Sequence, residues 1–286
     1  MSTTQAVILA RGLGTRMRRE LAASATGERL NASTPTGIAP ALAEQQAAAA
    51  ANGAKGMMPF ARPFLDYSLS VLADAGIREA VLVVGPEHDE MRSYFKRTAA
   101  GRRVALRFAV QEEPRGTADA LAAAANAVDD AAFLVLNSDN LYPLAAVQAL
   151  AALGGSGLVA FEAGALARGG IEPERVFKFA LLDISPEEQL RTIVEKPALD
   201  HPLAMRQEHW VSMNLWSFTP RIFNACTRIA PSSRGELELQ DAVTFAMQEF
   251  GEPFHIIRSH EPVLDLSSRA DIAVVGAQLA TLHPQP

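Results

Sequence analysis

Short apolar runs rich in valine, isoleucine, leucine and phenylalanine recur along the chain, separated by stretches whose apolar positions return every three or four residues. Runs without polar alternation read as strands buried on both faces, and the intervening spacing is that of helices with one buried side. The pattern predicts strands at 6–10, 80–84, 104–110, 133–137, 158–161, 177–182, 211–218 and 253–257. A helix over 63–75 places Phe64, Leu65, Leu69 and Leu72 on one face, with Gly76 just past its end. Further helices are expected over 117–127, after the turn Glu113-Pro114-Arg115-Gly116, and over 268–282. Strand, loop, helix, strand is the βαβ order of a Rossmann-like α/β sheet. From about Gly154 strands dominate and several read as antiparallel, so the expected sheet is mixed, mostly parallel, and sandwiched in three α/β/α layers.

The interval 19–54 interrupts this rhythm. It carries no strand signal, contains Ser33-Thr34-Pro35-Thr36-Gly37, and continues into the alanine-rich 39–52. A loop followed by a helix laid over the site, a lid-like insertion, is the expectation. With no internal repeat and no Gly/Ser-rich linker, a single domain over 1–286 is expected.

Composition narrows the function classes. With 286 residues, 49% of them hydrophobic, the chain can bury a full core. The 26 basic and 32 acidic residues give a net charge of −6, which offers no basic field for nucleic acid, so any anion site is local. Cys226 is the only cysteine and the six histidines are scattered, which excludes an intramolecular disulfide and a thiolate cluster and leaves no zinc constellation. A reducing, cytoplasmic setting is expected. The first apolar run meets Arg11 before it reaches export-signal length, and nothing approaches the roughly 20 apolar residues of a membrane span, so no membrane partner is expected.

The chemistry begins where that first run breaks into Arg11-Gly12-Leu13-Gly14-Thr15-Arg16-Met17-Arg18. Two glycines, a hydroxyl and three arginines after a buried strand suit a polyphosphate brought against backbone N–H groups. Met17 stands where a dinucleotide-binding G-x-G-x-x-G would have its third glycine, and no Gly-Lys-Ser/Thr follows, so neither that fingerprint nor a P-loop is present. Asp139 follows the run 133–136 and is expected at the carboxyl end of a strand, where open α/β sheets bind ligands. As alternatives, Asp139 would cap a helix and Asp265 would pair with Arg269 on the surface.

The glycine turn resembles the G-x-G-T-R-[ML]-R signature of sugar-phosphate nucleotidylyltransferases, and six further segments resemble that family in its order. These are the lysine segment 55–67; the base-reading loop 111–120; Val135-Leu136-Asn137-Ser138-Asp139-Asn140; Val194-Glu195-Lys196-Pro197; Gly235-Glu236-Leu237-Glu238-Leu239-Gln240-Asp241; and Leu264-Asp265-Leu266. The resemblance implies a nucleotidyltransferase fold with its nucleotide-binding part at about 1–150 and its sugar-phosphate part at about 151–286. It implies transfer of a nucleotidyl group from a nucleoside triphosphate, UTP or dTTP favoured, to a sugar 1-phosphate. Arg16, Lys55 and Asp139 would be catalytic. Ala10, Gly12, Leu13, Gly14, Thr15, Gln111, Gly116 and Thr117 would bind the nucleotide, and Glu195, Lys196, Asn214 and Glu236 the sugar phosphate. Asp139 and Asp265 would share Mg²⁺, completed by phosphate oxygens and water. A homo-oligomer is compatible with this reading, and no appended hexapeptide-repeat domain is expected after 268–282.

Departures from the family mark both ends of the expected cleft. Arg11 replaces a small residue and either approaches the triphosphate or turns away to a salt bridge. About 40 residues separate Arg16 from Lys55, and Ala54 stands where the family has proline. Val176-Phe177-Lys178-Phe179 replaces a Tyr-Gly pair and Asn214 a glycine, leaving the sugar unnamed. Trp210 and Trp216 would floor the sugar pocket or belong to the core. Two other functions stay open: a noncatalytic nucleotide-sugar-binding regulatory subunit, and a nucleotidylyltransferase for a non-sugar phosphate acceptor.

Overall fold

A computed structural model describes residues 2–12, 14, 17, 40–52, 54–100, 102–129 and 131–286. Strand β1 (Gln5–Leu9) is followed by helix α1 (Pro40–Asn52), α2 (Phe64–Asp74), β2 (Glu79–Val84), α3 (Asp89–Arg97), β3 (Ala105–Val110) and α4 (Thr117–Ala123). Next come β4 (Phe133–Asn137), β5 (Asn140–Leu141), α5 (Leu144–Leu153), β6 (Gly157–Glu162), α6 (Ala163–Arg168), β7 (Ala180–Ile184), β8 (Leu190–Glu195) and β9 (Trp210–Phe218). The chain then forms α7 (Ile222–Cys226), α8 (Leu239–Phe250), β10 (His255–Ser259), β11 (Leu264–Asp265) and α9 (Asp271–Leu279).

Among the described residues nine strands make one sheet, whose main path runs β10-β6-β9-β4-β1-β2-β3 with β7 and β8 branching from β9. β1 pairs in parallel with β2 and β4, and β2 with β3, whereas β9 runs antiparallel to β4, β6 and β7. The expected mixed, mostly parallel sheet is therefore present. Side-chain alternation divides β1 between two cores: Ile8 faces Leu65, Leu69 and Leu150, while Val7 faces Leu121, Trp216 and Val243. Helices on both faces give the three layers. Trp216 is fully buried in the second core, which settles it as packing rather than pocket floor.

The pattern does not predict β8, β10 starts two residues later than expected, and three further stretches differ from the expected elements. Residues Pro173–Lys178 form a 3-10 helix and β7 starts only at Ala180, so the strand expected at 177–182 begins late. Proline at the first turn of that helix sets φ for a helical turn, and Arg175 within it reaches a buried carboxylate pair. The helix expected over 117–127 stops at Ala123 and resumes as a 3-10 turn at Ala125–Ala127. The last helix starts at Asp271 because the Asp271 carboxylate accepts the N–H groups of Ser267 and Ser268, holding them in a turn ahead of it. Within 19–54, the helix is present as α1, where Gln46 Nε2 donates to the Pro59 carbonyl and Ala49 packs beside Met58 and Phe64. Residues 18–39 lie outside the described residues. Among the described residues, no helix is long and apolar enough to cross a membrane.

Candidate active site

The carboxyl ends of β1, β3 and β4 open into a cleft of about 290 Å³. Its walls bring together Gly12, Lys55, Gln111, Gly116, Thr117, Asp139 and Glu236 from the expected site, and add Arg11, Pro114, Asn137 and Ser138. Gly12, Gln111 and Asp139 follow strands of the sheet, whereas Lys55, Gly116, Thr117 and Glu236 come from turns and helix starts that close over its edge. Ala10 is buried, its N–H bonded to the Val83 carbonyl, and Gly14 is buried with φ 56°. Leu13, Thr15 and Arg16 lie outside the described residues.

At the centre of the cleft, Lys55 Nζ stands 2.9 Å from Asp139 Oδ2. Lys55 opens the 3-10 turn Lys55–Met57, and Asp139 follows β4, so the segment after the long insertion does deliver its lysine to the strand end. The Leu266 N–H donates to the Asp139 carbonyl, which ties Asp139 to the two-residue ribbon formed by β5 and β11. In that ribbon Asp265 pairs with Asn140, the residue next to Asp139. Asp265 is buried: its Oδ1 accepts from Asn140 Nδ2 (3.1 Å) and Ser267 Oγ (2.8 Å), and its Oδ2 from Arg175 Nη2 (2.5 Å). Burial, reinforced by the nearby charge of Asp139, pushes the Asp265 carboxyl up to about 6. The surface pairing with Arg269 considered above is therefore not the role of Asp265.

Both carboxylates offer the oxygen donors a hard cation takes, Asp139 from the wall of the cleft and Asp265 from a buried position among Asn140, Ser267 and Arg175. Both present only oxygen, their charges disfavour each other, and cationic Lys55 and Arg175 hold them in place. Among the described residues no group of three or more acidic, histidine or cysteine side chains could hold a metal. A shell completed by substrate oxygens and water is what Mg²⁺ accepts and what zinc does not require.

At the nucleobase end, Gln111 is buried at the close of β3. Gly116 adopts φ 124°, and the segment 115–118 is bolted to 237–239 by Leu237 N–H to Arg115 O (2.7 Å), Ala118 N–H to Leu237 O (2.9 Å) and Leu239 N–H to Thr117 Oγ1 (2.9 Å). Arg11 takes the second of its two open roles: Nε and Nη2 pair with the Glu87 carboxylate at 3.1 and 3.2 Å, and Nη1 donates to the Gln111 carbonyl.

Of the four residues expected at the sugar phosphate, Glu236 lines that cleft beside Gln111 and Gly116, whereas Glu195, Lys196 and Asn214 gather apart from it. Glu195 closes β8, and Lys196 follows it with φ 46°, its Nζ 3.3 Å from Glu195 Oε1. Asn214 lies in β9 with φ 58°, a conformation asparagine tolerates better than most side chains. Its Oδ1 accepts from Gln240 Nε2 (3.2 Å) and Trp216 Nε1 (3.3 Å), and the same Gln240 Nε2 lies 3.4 Å from Glu195 Oε2. Arg234 stands 3.8 Å from Glu195 and 2.6 Å from Glu238. Burial raises the Glu238 carboxyl above its ordinary range.

Comparisons with known proteins bear on the family and the fold. A family model described as nucleotidyl transferase matches residues 49–260, about three quarters of the sequence. The chain belongs to the nucleotidyl transferase family. The low-salt glycan biosynthesis nucleotidyltransferase Agl11 of Haloferax volcanii is 27% identical over 200 residues, covering 69% of this chain and 52% of that protein. This chain thus matches about half the length of that relative. The UTP–glucose-1-phosphate uridylyltransferase AglF of the same organism is 26% identical over 221 residues, covering 76% of this chain and 84% of its own. A crystal structure of UDP-glucose pyrophosphorylase complexed with UDP-glucose superposes with a TM-score of 0.69 over 98% of this chain and 100% of that one, at 17% identity, a likeness of fold.

The family match starts beyond the glycine turn and stops before Asp265, so the roles of Arg11 and Asp265 rest on their own surroundings. Sequence reasoning missed Arg175, Arg234 and Asp119. For Arg175 and Arg234 the available signal was a lone arginine beside apolar or acidic residues in a turn. The cleft thus has a buried glutamine and a lysine–aspartate pair in its walls, with a separate group of cations and amides around Glu195 and Asn214.

Proposed function

We propose that this chain transfers a nucleotidyl group from UTP or dTTP to a sugar 1-phosphate, releasing pyrophosphate. The observation that carries this reading is the Lys55–Asp139 pair at the end of β4, lining one cleft with Gln111 and Gly116. A phosphate oxygen of the acceptor attacks the α-phosphorus, the bond to the β-phosphate breaks, and the leaving pyrophosphate carries that electron pair. Such a reaction needs two polyanions held in line and their charge neutralised, more than it needs an acid or base. Lys55 supplies positive charge at the α-phosphate, with Arg16 expected beside it. Lys196 and Arg234 attract the acceptor phosphate, while Glu195 and Asn214 offer an acceptor and an Nδ2 donor to sugar hydroxyls. Asp139 and Asp265 would hold Mg²⁺, which supplies charge neutralisation on the phosphates. The relative named for UTP and glucose 1-phosphate supports the substrate pair.

Pyrophosphate release across four nucleoside triphosphates and a panel of sugar 1-phosphates, with and without Mg²⁺, tests the reading. Release is expected with UTP or dTTP only when acceptor and metal are both present. Asp139→Asn, which removes one charge from the centre, is expected to lower it by about 100-fold or more. Triphosphate binding without release from any acceptor would instead favour the noncatalytic nucleotide-sugar-binding protein.

A further inference from the structure

We propose that Asp119 and Arg11 are positioning residues for nucleobase selection: together they fix the Gln111 side chain so that only its carbonyl oxygen faces the base. The inference rests on reading the cleft as a nucleotidyl-transfer site and names what sets its choice of nucleotide.

A glutamine amide can turn either its donor or its acceptor toward a ligand, and the two orientations select different base edges. Here the choice is made by the protein. Gln111 Nε2 donates to the Gly116 carbonyl at 3.1 Å and to Asp119 Oδ2 at 2.8 Å. Both partners are acceptors, one of them a carboxylate, so a flipped amide would set its own oxygen against two oxygens. Asp119 is itself anchored, since its Oδ1 accepts from Arg115 Nη2 at 2.6 Å and its side chain is 12% exposed. The backbone of Gln111 is clamped as well. Its N–H donates to the Val84 carbonyl, and its carbonyl accepts from Arg11 Nη1, which the bidentate contact to Glu87 holds in turn. Gln111 Oε1 accepts no described hydrogen bond. It is also absent from the buried side-chain atoms without a partner, which among the described residues are Thr3 Oγ1, Arg102 Nη1 and Glu252 Oε2. That oxygen is therefore the group Gln111 offers to the cleft it lines. Beside it stands the Gly116 N–H, which donates to no described group.

An acceptor next to a donor matches a base edge that carries a ring N–H next to a carbonyl. Uracil, thymine and guanine have one. In the same seat cytosine or adenine would set a ring-nitrogen lone pair against Oε1 and an amino group against the Gly116 N–H, two like-with-like contacts. Moving the base one place along its edge restores the match, but only by displacing the ribose from a triphosphate held at Lys55.

Equilibrium binding of UTP, 3-methyl-UTP, CTP and inorganic tripolyphosphate, each with Mg²⁺, tests this on the full chain. The wild type is expected to prefer UTP over both CTP and 3-methyl-UTP by about 10- to 100-fold. Asp119→Ala is expected to cut the UTP:CTP ratio about tenfold while leaving tripolyphosphate binding within about twofold. Asp119→Asn, which can still present an oxygen to Nε2, should keep most of the ratio. Arg11→Met, which frees the Gln111 carbonyl by a separate route, should also lower it, so a poorly folded Asp119 variant does not end the test. A wild type that binds UTP and CTP alike, or variants that keep the full ratio, would overturn the inference while the transfer reading stands. A wild type that binds neither UTP nor tripolyphosphate would overturn both.

Discussion

Gly116 shows how much of the cleft depends on a single backbone position. Its φ of 124° is one that L side chains rarely adopt, and a Cβ would stand 2.6 Å from the Leu237 nitrogen and closer still to the Leu237 oxygen. Those two atoms are bonded to Arg115 and Ala118, so they cannot retreat without breaking the link between the base-reading loop and the segment before α8. Gly116→Ala is expected to cost about 3 kcal/mol, read as a lower urea midpoint, and to weaken UTP binding about tenfold, read by titration. At this scale Gln111 and Asp139 were legible because each follows an apolar run that predicts a strand end, whereas Lys55 was legible only through the resemblance of 55–67 to the family's lysine segment. Asp119, Arg175 and Arg234 were not legible. Asp119 acts only through Gln111, and Arg175 meets Asp265 across 90 positions that no periodicity spans. Arg11 was visible as an oddity, but its choice of Glu87 over the triphosphate depends on a carboxylate 76 positions away.

Among elements, the 3-10 helix Pro173–Lys178 is the least predictable and among the most connected. Its Arg175 bonds Asp265 in β11 and Asp271 at the start of α9, joining the sugar side of the molecule to the candidate metal carboxylates. All three side chains are buried, so losing the cation leaves two nearby carboxylates with neutral donors alone and no counter-charge from Arg175. Arg175→Met is expected to destabilise the chain by about 3–5 kcal/mol in urea unfolding. Adding Asp271→Asn should recover part of that loss, a coupling that independent sites would lack. The sequence pattern starts a strand at Phe177, inside this helix, because Phe177 and Phe179 lead into the apolar Ala180-Leu181-Leu182. The main strands were legible because burial on both faces leaves uninterrupted apolar runs. The β5–β11 ribbon, two residues on each side, is too short for any period to register.

Across the whole molecule, the sheet changes character at β4, where parallel β1, β2 and β3 lie on one side and antiparallel β9 on the other. Of the residues proposed for the nucleotide, Gly12 and Gln111 follow parallel strands, and those proposed for the acceptor lie at β8, β9 and just before α8, so in the proposed reaction the two substrates would meet near Asp139, which follows β4. This division was readable in outline from the chain's order of elements. The separation of Glu195, Lys196 and Asn214 from the main cleft was not, because the path of the antiparallel half depends on pairings between distant strands. With a net charge of −6, the phosphates must be drawn in by the local cations named here rather than by the field of the whole protein. Phosphorus-31 spectra of UTP, a sugar 1-phosphate, Mg²⁺ and the wild-type chain follow every phosphate at once. Nucleotidyl transfer predicts that the triphosphate and monoester signals fall together as equal amounts of pyrophosphate and a diphosphate diester appear, with Asp139→Asn leaving the mixture unchanged. Loss of UTP to UDP and inorganic phosphate with the monoester untouched, or no change across the acceptor panel, would contradict it.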